Sequence, residues 1–185
     1  MNIRKAEISD AEHIAPILLL AMEDILYKFV GKEDYKSAHD FLFYFVGQEN
    51  NQYSYQNCYV AESENEIIGA VNIYNGADLH TLRTPIIKYI RTNYNPDFDP
   101  EDETEAGEYY IDSLGINPKH QGKGIGSKIL QFLIEKYVHE NKEVLGLLVE
   151  EDNPQAKKLY LRLGFKPVGH KVLVKKNLEH LQIKN

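Results

Sequence analysis

The sequence is poor in several features, and each shortage excludes something. Cys58 is its only cysteine among 185 residues, so no internal disulfide can form and a reducing, cytoplasmic compartment fits. Long apolar runs are missing too. The best, residues 14–22, is too short to span a bilayer and contains Pro16, so no membrane partner is expected. The start, Met1-Asn2-Ile3-Arg4-Lys5, runs straight into strand-like and polar residues, and no signal peptide is expected. Positive charge is in deficit: the formal net charge of −7 argues against nucleic acid as the main partner. The seven histidines show no ligand-type spacing with cysteine or with one another, so no metal is expected. No Ser-His-Asp or Cys-His pattern with a nucleophile elbow is present, which disfavours a covalent acyl-enzyme. Repeats, low-complexity tracts and a second domain are also absent.

What is present is a mixed order of strand and helix patterns with 43% hydrophobic content, enough for one domain over residues 1–185. Residues 1–8 read as a first strand. Ser9 with Glu12 forms a capping-box signature, and Ile14, Ile17, Leu18, Ala21 and Ile25 follow at helical spacing. A second helix is predicted over much of residues 35–46. Residues 57–61 and 67–73 read as adjacent strands. Residues 75–107 form a long connection with a helix predicted within 79–91, and such a length suggests a functional loop or lid. Cys58 lies in an apolar run and reads as a buried structural thiol.

Residues 97–108 hold Asp97, Asp99, Glu101, Asp102, Glu103, Glu105 and Glu108 with no Lys or Arg. The plain reading is a solvated loop; the functional one is an acidic lip that attracts a cationic amine. Tyr109–Ile116 reads as a central strand. Ile125, Ile129, Leu133 and Tyr137 then give a helix its apolar stripe, and residues 144–149 read as a buried strand. Asn153 can cap the next helix with Pro154 at its first position; Ala156, Leu159, Tyr160 and Leu163 share one face, and Gly164 stops it. Residues 165–174 and 178–183 read as closing strands, with a turn near 175–177.

Between the central strand and its helix lies Gln121-Gly122-Lys123-Gly124-Ile125-Gly126. Glycines bring the backbone close to a ligand, and a helix start adds free N–H groups and partial positive charge. Strand, glycine turn and helix start suit a phosphate or pyrophosphate. A dinucleotide fingerprint from Gly122 would need glycine at position 127, where Ser127 stands. A triphosphate loop would need Lys directly after Gly126, but Lys128 comes one residue late. A tight turn without a ligand remains the other reading.

The wider segment, Tyr110-Ile111-Asp112-Ser113-Leu114-Gly115-Ile116 followed by the glycine turn, resembles the acetyl-CoA-binding motif of the GCN5-related N-acetyltransferase (GNAT) superfamily. Gln121, Gly124 and Gly126 fall on the motif's fixed positions. A second block, from Asn153-Pro154-Gln155-Ala156 through Leu159-Tyr160 to Gly164-Phe165, resembles the superfamily's next motif. The resemblance implies an α/β (α+β) fold: a mostly antiparallel twisted sheet of about seven strands flanked by helices, split between the fourth and fifth strands. It implies acetyl-CoA as cosubstrate and a primary amine as acceptor, joined by direct attack in a ternary complex. A homodimer is left open. The rival readings are a non-catalytic acyl-CoA-binding or sensing module on the same fold and a nucleotide-binding regulatory domain.

The resemblance also assigns residues. The pantetheine arm is expected along Leu114, Gly115 and Ile116, pairing like an added strand. The pyrophosphate is expected on the N–H groups of Gln121, Gly122, Lys123, Gly124, Ile125, Gly126 and Ser127. Lys119, Lys123 and Lys128 are nearby cations that also read as ordinary surface lysines. Asn153 is expected both to cap its helix and to bind the cofactor arm. Tyr160 sits on an apolar helical face and reads as core; the resemblance implies that it is the general acid for the departing thiolate. For the base, the branch that acetylates ribosomal-protein N-termini uses a Glu where this chain has Leu148, which counts against that substrate. Asp112 on the fourth strand is the first choice. Glu108, Glu150 and His180 are further candidates. The acceptor carries no motif.

Overall fold

The computed structural model describes residues 1–185. Its sheet has seven strands: β1 (Asn2–Lys5), β2 (Cys58–Ser63), β3 (Glu66–Asn75), β4 (Tyr109–Ile116), β5 (Leu145–Glu150), β6 (Lys166–Leu173) and β7 (Lys176–Ile183), in the spatial order β1-β2-β3-β4-β5-β7-β6. All neighbours are antiparallel except β4 and β5, which run parallel. The helices are α1 (Ala11–Val30), α2 (Tyr35–Val46), α3 (Leu79–Asn93), α4 (Ile125–Leu133) and α5 (Pro154–Arg162). α4 widens into a π-helical segment, Ile134–Glu140. The expected turn near residues 175–177 falls slightly earlier, at Val174 and Lys175, both with positive φ.

The central strands are apolar on both faces, and a core forms on each side. Cys58 and Val60 of β2 join α1, α2 and α3 in one cluster of 24 buried residues. Tyr59 and Ala61 join α4 and β5 in a second, of 18 residues. The stripe Ile125, Ile129, Leu133 and Tyr137 is buried in this second cluster. Its helical spacing aligns those side chains over the sheet.

The start of α1 differs from the expected Ser9–Glu12 capping box. A short 3-10 turn, Ile8–Asp10, precedes the helix, and the capping box forms around that turn between Glu7 and Asp10: the Asp10 carboxylate accepts from the Glu7 N–H at 2.8 Å and from Arg4 at 2.7 Å. The Arg4 hydrogen bond is charge-assisted and is the main cause holding the Asp10 pKa down.

Two features position the site. β4 pairs with β5 only at Tyr109–Leu145, Tyr110–Gly146 and Ile111–Leu147, then the strands part. From Asp112 onward β4 has a strand partner only on its β3 side. Second, the β3–β4 register skips Asp112, which is an inserted bulge residue between the pairs Ile73–Ile111 and Asn72–Ser113. Bulges re-aim side chains, and here the bulge lies at the point of the split.

α1 crosses β4 at Gly115, where an added Cβ would stand 1.9 Å from the Ile17 carbonyl oxygen. The helix is interrupted at Met22, whose φ of −137° is non-helical, beside the opened strands. Gly115→Ala is expected to destabilise the fold by about 3 kcal/mol, since neither backbone can give way cheaply. Gly169→Ala, where nothing lies within 4 Å, is the control and is expected to change stability little. Urea unfolding midpoints of the two variants check this.

Candidate active site

Three cavities join into one groove along the split. The first, about 460 Å³, is lined by the glycine turn, by Leu114, Gly115 and Ile116, and by Leu159 and Arg162 of α5. Leu20, Ala21 and Leu114 connect it to a second of about 490 Å³, which holds Ser113, Asn153, Ala156 and Tyr160. Met22, Asp112, Leu148 and Glu150 connect that one to a smaller inner chamber of about 110 Å³.

Gly122 and Gly124 both have φ of 74°, the left-handed region that favours glycine, and a Cβ at either would meet nothing within 4 Å. Gly126 is different. Its backbone is helical, and a Cβ there would touch only Ile116 and Leu114 side chains at 3.9 Å. No protein atom therefore requires glycine at 126, and its open side is the groove. Gln121, Gly122, Gly124, Ile125, Gly126 and Ser127 all line the groove. Lys123 does not; its Nζ donates to the Lys119 carbonyl at 3.2 Å. Lys119 and Lys128 are also outside the lining, and the groove's cation is Arg162, with His120 beside it.

Asn153 caps α5, its Oδ1 accepting from the Ala156 N–H at 3.1 Å, and it also borders the groove. Tyr160 lies further in. Burial alone raises its pKa, with no side-chain hydrogen bond contributing, and its ring meets Phe165 edge-on at 6.0 Å. A phenol desolvated in this way holds its proton until a strong acceptor is near.

Asp112 stands at the junction of the two inner cavities. Its Oδ2 accepts from Gln52 Nε2 at 2.8 Å and lies 3.3 Å from the Tyr74 hydroxyl. The same two groups contact Glu103: Gln52 at 2.6 Å and Tyr74 at 2.9 Å. Glu103 in turn pairs with Arg83, and Asp102 pairs with the same guanidinium at 3.2 Å. Tyr74 has one hydroxyl proton. Glu103 at 2.9 Å and Asp112 at 3.3 Å share that one donor. Burial raises the Asp112 pKa more than Gln52, Tyr74 and Arg83 lower it.

The other candidate bases stand differently. Glu108 is buried, accepting from His180 Nε2 at 2.9 Å, Gln182 at 2.7 Å and Thr104 at 2.7 Å. Burial works to raise its pKa, but these donors outweigh it and hold the carboxyl below its ordinary value. Gly146 makes the space, since a Cβ there would lie 1.8 Å from the Glu108 carboxylate. Neither Glu108 nor His180 lines the groove. Glu150 does, paired with Lys176 at 2.8 Å. The expected solvated loop at residues 97–108 is corrected at two places: Glu103 and Glu108 are each only 3% exposed. Arg83 and His180, far away in sequence, draw them inward. Leu148 borders the chamber where a Glu would stand in the ribosomal branch.

The first two helices and residues 75–107 were expected to shape the acceptor pocket, and α1 does line it, but sequence reasoning missed Gln52, Tyr74, Arg83 and Arg162. No local pattern marks the first three. Arg162 could have been found, because it lies one turn after Leu159 on the helix carrying Tyr160.

A splayed mixed sheet whose opened strands lead a glycine turn toward a desolvated tyrosine defines an α+β protein of the acetyltransferase class. The chain belongs to the GNAT acetyltransferase family, whose model, described as "Acetyltransferase (GNAT) family", matches residues 20–165. It is 37% identical over 66 residues to the N-alpha-acetyltransferase RimI of Mycobacterium tuberculosis, covering 36% of this chain and 40% of that protein. It is 33% identical over 87 residues to the spermine/spermidine N(1)-acetyltransferase of Bacillus subtilis, covering 43% and 56%. The chain thus matches about half the length of these relatives or less. The N-acetyltransferase from Staphylococcus aureus Mu50 superposes with a TM-score of 0.86 at 24% identity, covering 99% of this chain and 100% of that one. Aminoglycoside acetyltransferase AAC(6')-Ib in complex with coenzyme A superposes at 0.63 and 16% identity, covering 100% and 94%. At those identities the two structures show the fold.

Asp112 also carries a stability prediction. Its folded pKa is raised, so its charged form costs stability as pH climbs from the ordinary carboxylate value, about 3.9, toward the folded one. Asp112→Asn is expected to be more stable than the parent at pH 7, by about 1 kcal/mol. The difference should disappear below pH ~4. Denaturant unfolding at the two pH values measures it.

Proposed function

We propose that the protein is an N-acetyltransferase that moves an acetyl group from acetyl-CoA to a primary amine, both substrates being bound together. The observation that carries this reading is the continuity of the groove, from the glycine turn along the opened edge of β4 to Tyr160 and Asp112. Acetyl-CoA supplies the activated thioester. The residues fit it: Gly126 has no steric reason within the protein to be glycine, and left-handed Gly122 and Gly124 let the N–H groups of the turn face an anion. Arg162 is the side-chain cation for the phosphates. Leu114, Gly115 and Ile116 pair with β3 but have no strand on the side opened from β5, and Asn153 keeps its amide nitrogen free beyond the cap.

Asp112 takes the proton from the incoming ammonium or its attacking nitrogen. A raised carboxylate pKa narrows the gap to the operating pH, which is what a general base requires. Once protonated, Asp112 can donate to the Tyr74 hydroxyl, which keeps its own proton and donates it to Glu103. Tyr160 gives its proton to the departing thiolate. A thiol has a pKa of about 8.5 and a phenol about 10, so proton sharing stabilises the leaving group. Proximity in a water-poor groove supplies the remainder. Direct attack, without an acyl-enzyme, is further supported by Cys58: the single thiol is fully buried, its pKa pushed up to about 12.

Tyr160→Phe is expected to lower kcat by about 100-fold or more while leaving acetyl-CoA affinity within about twofold. Thiol release and calorimetric titration measure the two quantities. An unchanged kcat would remove Tyr160 from the reaction, and a preference for ATP or NAD over CoA would sink the reading as a whole.

A further inference from the structure

The inner chamber constrains the acceptor. It is closed by six segments: α1 with Met22, Ile25 and Phe29; α3 with Ile86; the acidic loop with Phe98 and Pro100; Gln52 and Tyr53; the β4 and β5 residues at its mouth; and the β6–β7 hairpin with Leu173 and Leu178. Its lining is mainly apolar. Its volume is about 110 Å³. An apolar cavity of about 150 Å³ accommodates one benzene, so this chamber takes a group of about four or five carbons.

The charged groups deep in the wall are already partnered, while the hydroxyls of Tyr53 and Tyr110 are neutral and can pair with no charge. Arg83 is occupied by Glu103 and Asp102 and by the carbonyls of Glu101 at 3.1 Å and Pro100 at 3.5 Å. It has no fork left for a substrate carboxylate. Glu103 is occupied by Arg83, Gln52 and Tyr74. It is therefore neutralised and cannot pair with a second ammonium at the inner end. A charged group pushed into the chamber would be desolvated with no opposite charge to pair with, which is strongly unfavourable. At the mouth one carboxylate differs: Glu150 and Asp24 are paired with Lys176 at 2.8 and 3.2 Å, whereas Asp112, which borders the passage to Tyr160, has no salt-bridge partner.

We propose that the acceptor is a short primary monoamine. Its ammonium head sits between Asp112 and the passage to Tyr160, and an uncharged apolar body of about four or five carbons fills the chamber behind. This rests on the acetyltransferase reading above. It sets the protein apart from a polyamine, amino-acid or peptide N-terminus enzyme, since those acceptors carry a second charge that the chamber cannot pair or a chain too large for about 110 Å³.

A matched series tests it by changing one end group: pentylamine, cadaverine and 5-aminopentanoate, with spermidine and a glycine-led tripeptide alongside. Thiol release from acetyl-CoA is the readout. Pentylamine is expected to exceed each of the others in kcat/KM by at least about tenfold. Ile86→Phe, which fills the chamber, should lose pentylamine turnover without changing acetyl-CoA affinity. Ile86→Ala should shift the preference toward a longer alkylamine. Equal or better turnover of cadaverine, spermidine or the tripeptide overturns the proposal and leaves the acetyltransferase reading standing. Tight acetyl-CoA binding with no amine turned over defeats both. Unaltered chain-length preference in both Ile86 variants would show that the body does not enter the chamber.

Discussion

β4 and β5 are parallel strands that pair at Tyr109, Tyr110 and Ile111 and then diverge. Backbone groups removed from a ladder need other partners, and leaving a run of them unpaired in an interior would be costly. The rest of the site follows from how that problem is met. The edge of β4 opened by the split faces a groove rather than a core, α1 bridges β4 at Gly115, and the helix breaks at Met22 beside the opening. The bulge at Asp112 sits at the same level and puts a carboxylate at the apex. A continuous sheet would leave no place for a ligand between these strands.

A second constraint is the handling of negative charge. The acidic loop would be expected to stay in water, yet two of its carboxylates are buried. Each is held by a different device. Glu103 is paired with a guanidinium, and Glu108 is bound by an imidazole, an amide and a hydroxyl in the space that Gly146 leaves. Buried pairs of this kind contribute little net stability, because desolvation offsets their attraction. They fix geometry instead. Glu103 fastens the loop to α3 and presents its other oxygen to Gln52 and Tyr74, so one loop both walls the chamber and sets the surroundings of Asp112. The hairpin tip completes the enclosure: the Val174 N–H donates to Glu101 at 2.9 Å and its carbonyl accepts from Lys28 at 3.0 Å.

Much of the fold was legible because its signals are short-range. The stripe Ile125–Ile129–Leu133–Tyr137 becomes a buried helical face, and the central strand has the bounds Tyr109–Ile116. The cap at Asn153 forms through an Oδ1 bond to a residue three positions on. The Ser9–Glu12 reading failed for a tertiary reason: Arg4, in a strand ordered by pairing with β2, reaches Asp10 and moves the cap. Lys123 looked suited to phosphate by proximity in sequence, yet in the turn its ammonium folds back onto the Lys119 carbonyl, and Arg162 from another helix reaches the groove instead.

The chain's order alone determined the glycine turn, the helix behind it and the tyrosine on the following helix, since turn geometry, capping and helical periodicity are settled within a few residues. It could not determine what surrounds Asp112. Gln52 and Asp112 are 60 residues apart, and Gln52 and Glu103 are 51 apart. Whether a carboxylate there is solvated, ion-paired or poised to take a proton depends on which distant donors and apolar walls folding brings to it. Only the packed structure places them, because desolvation and hydrogen bonding are properties of a three-dimensional neighbourhood and have no period in the sequence.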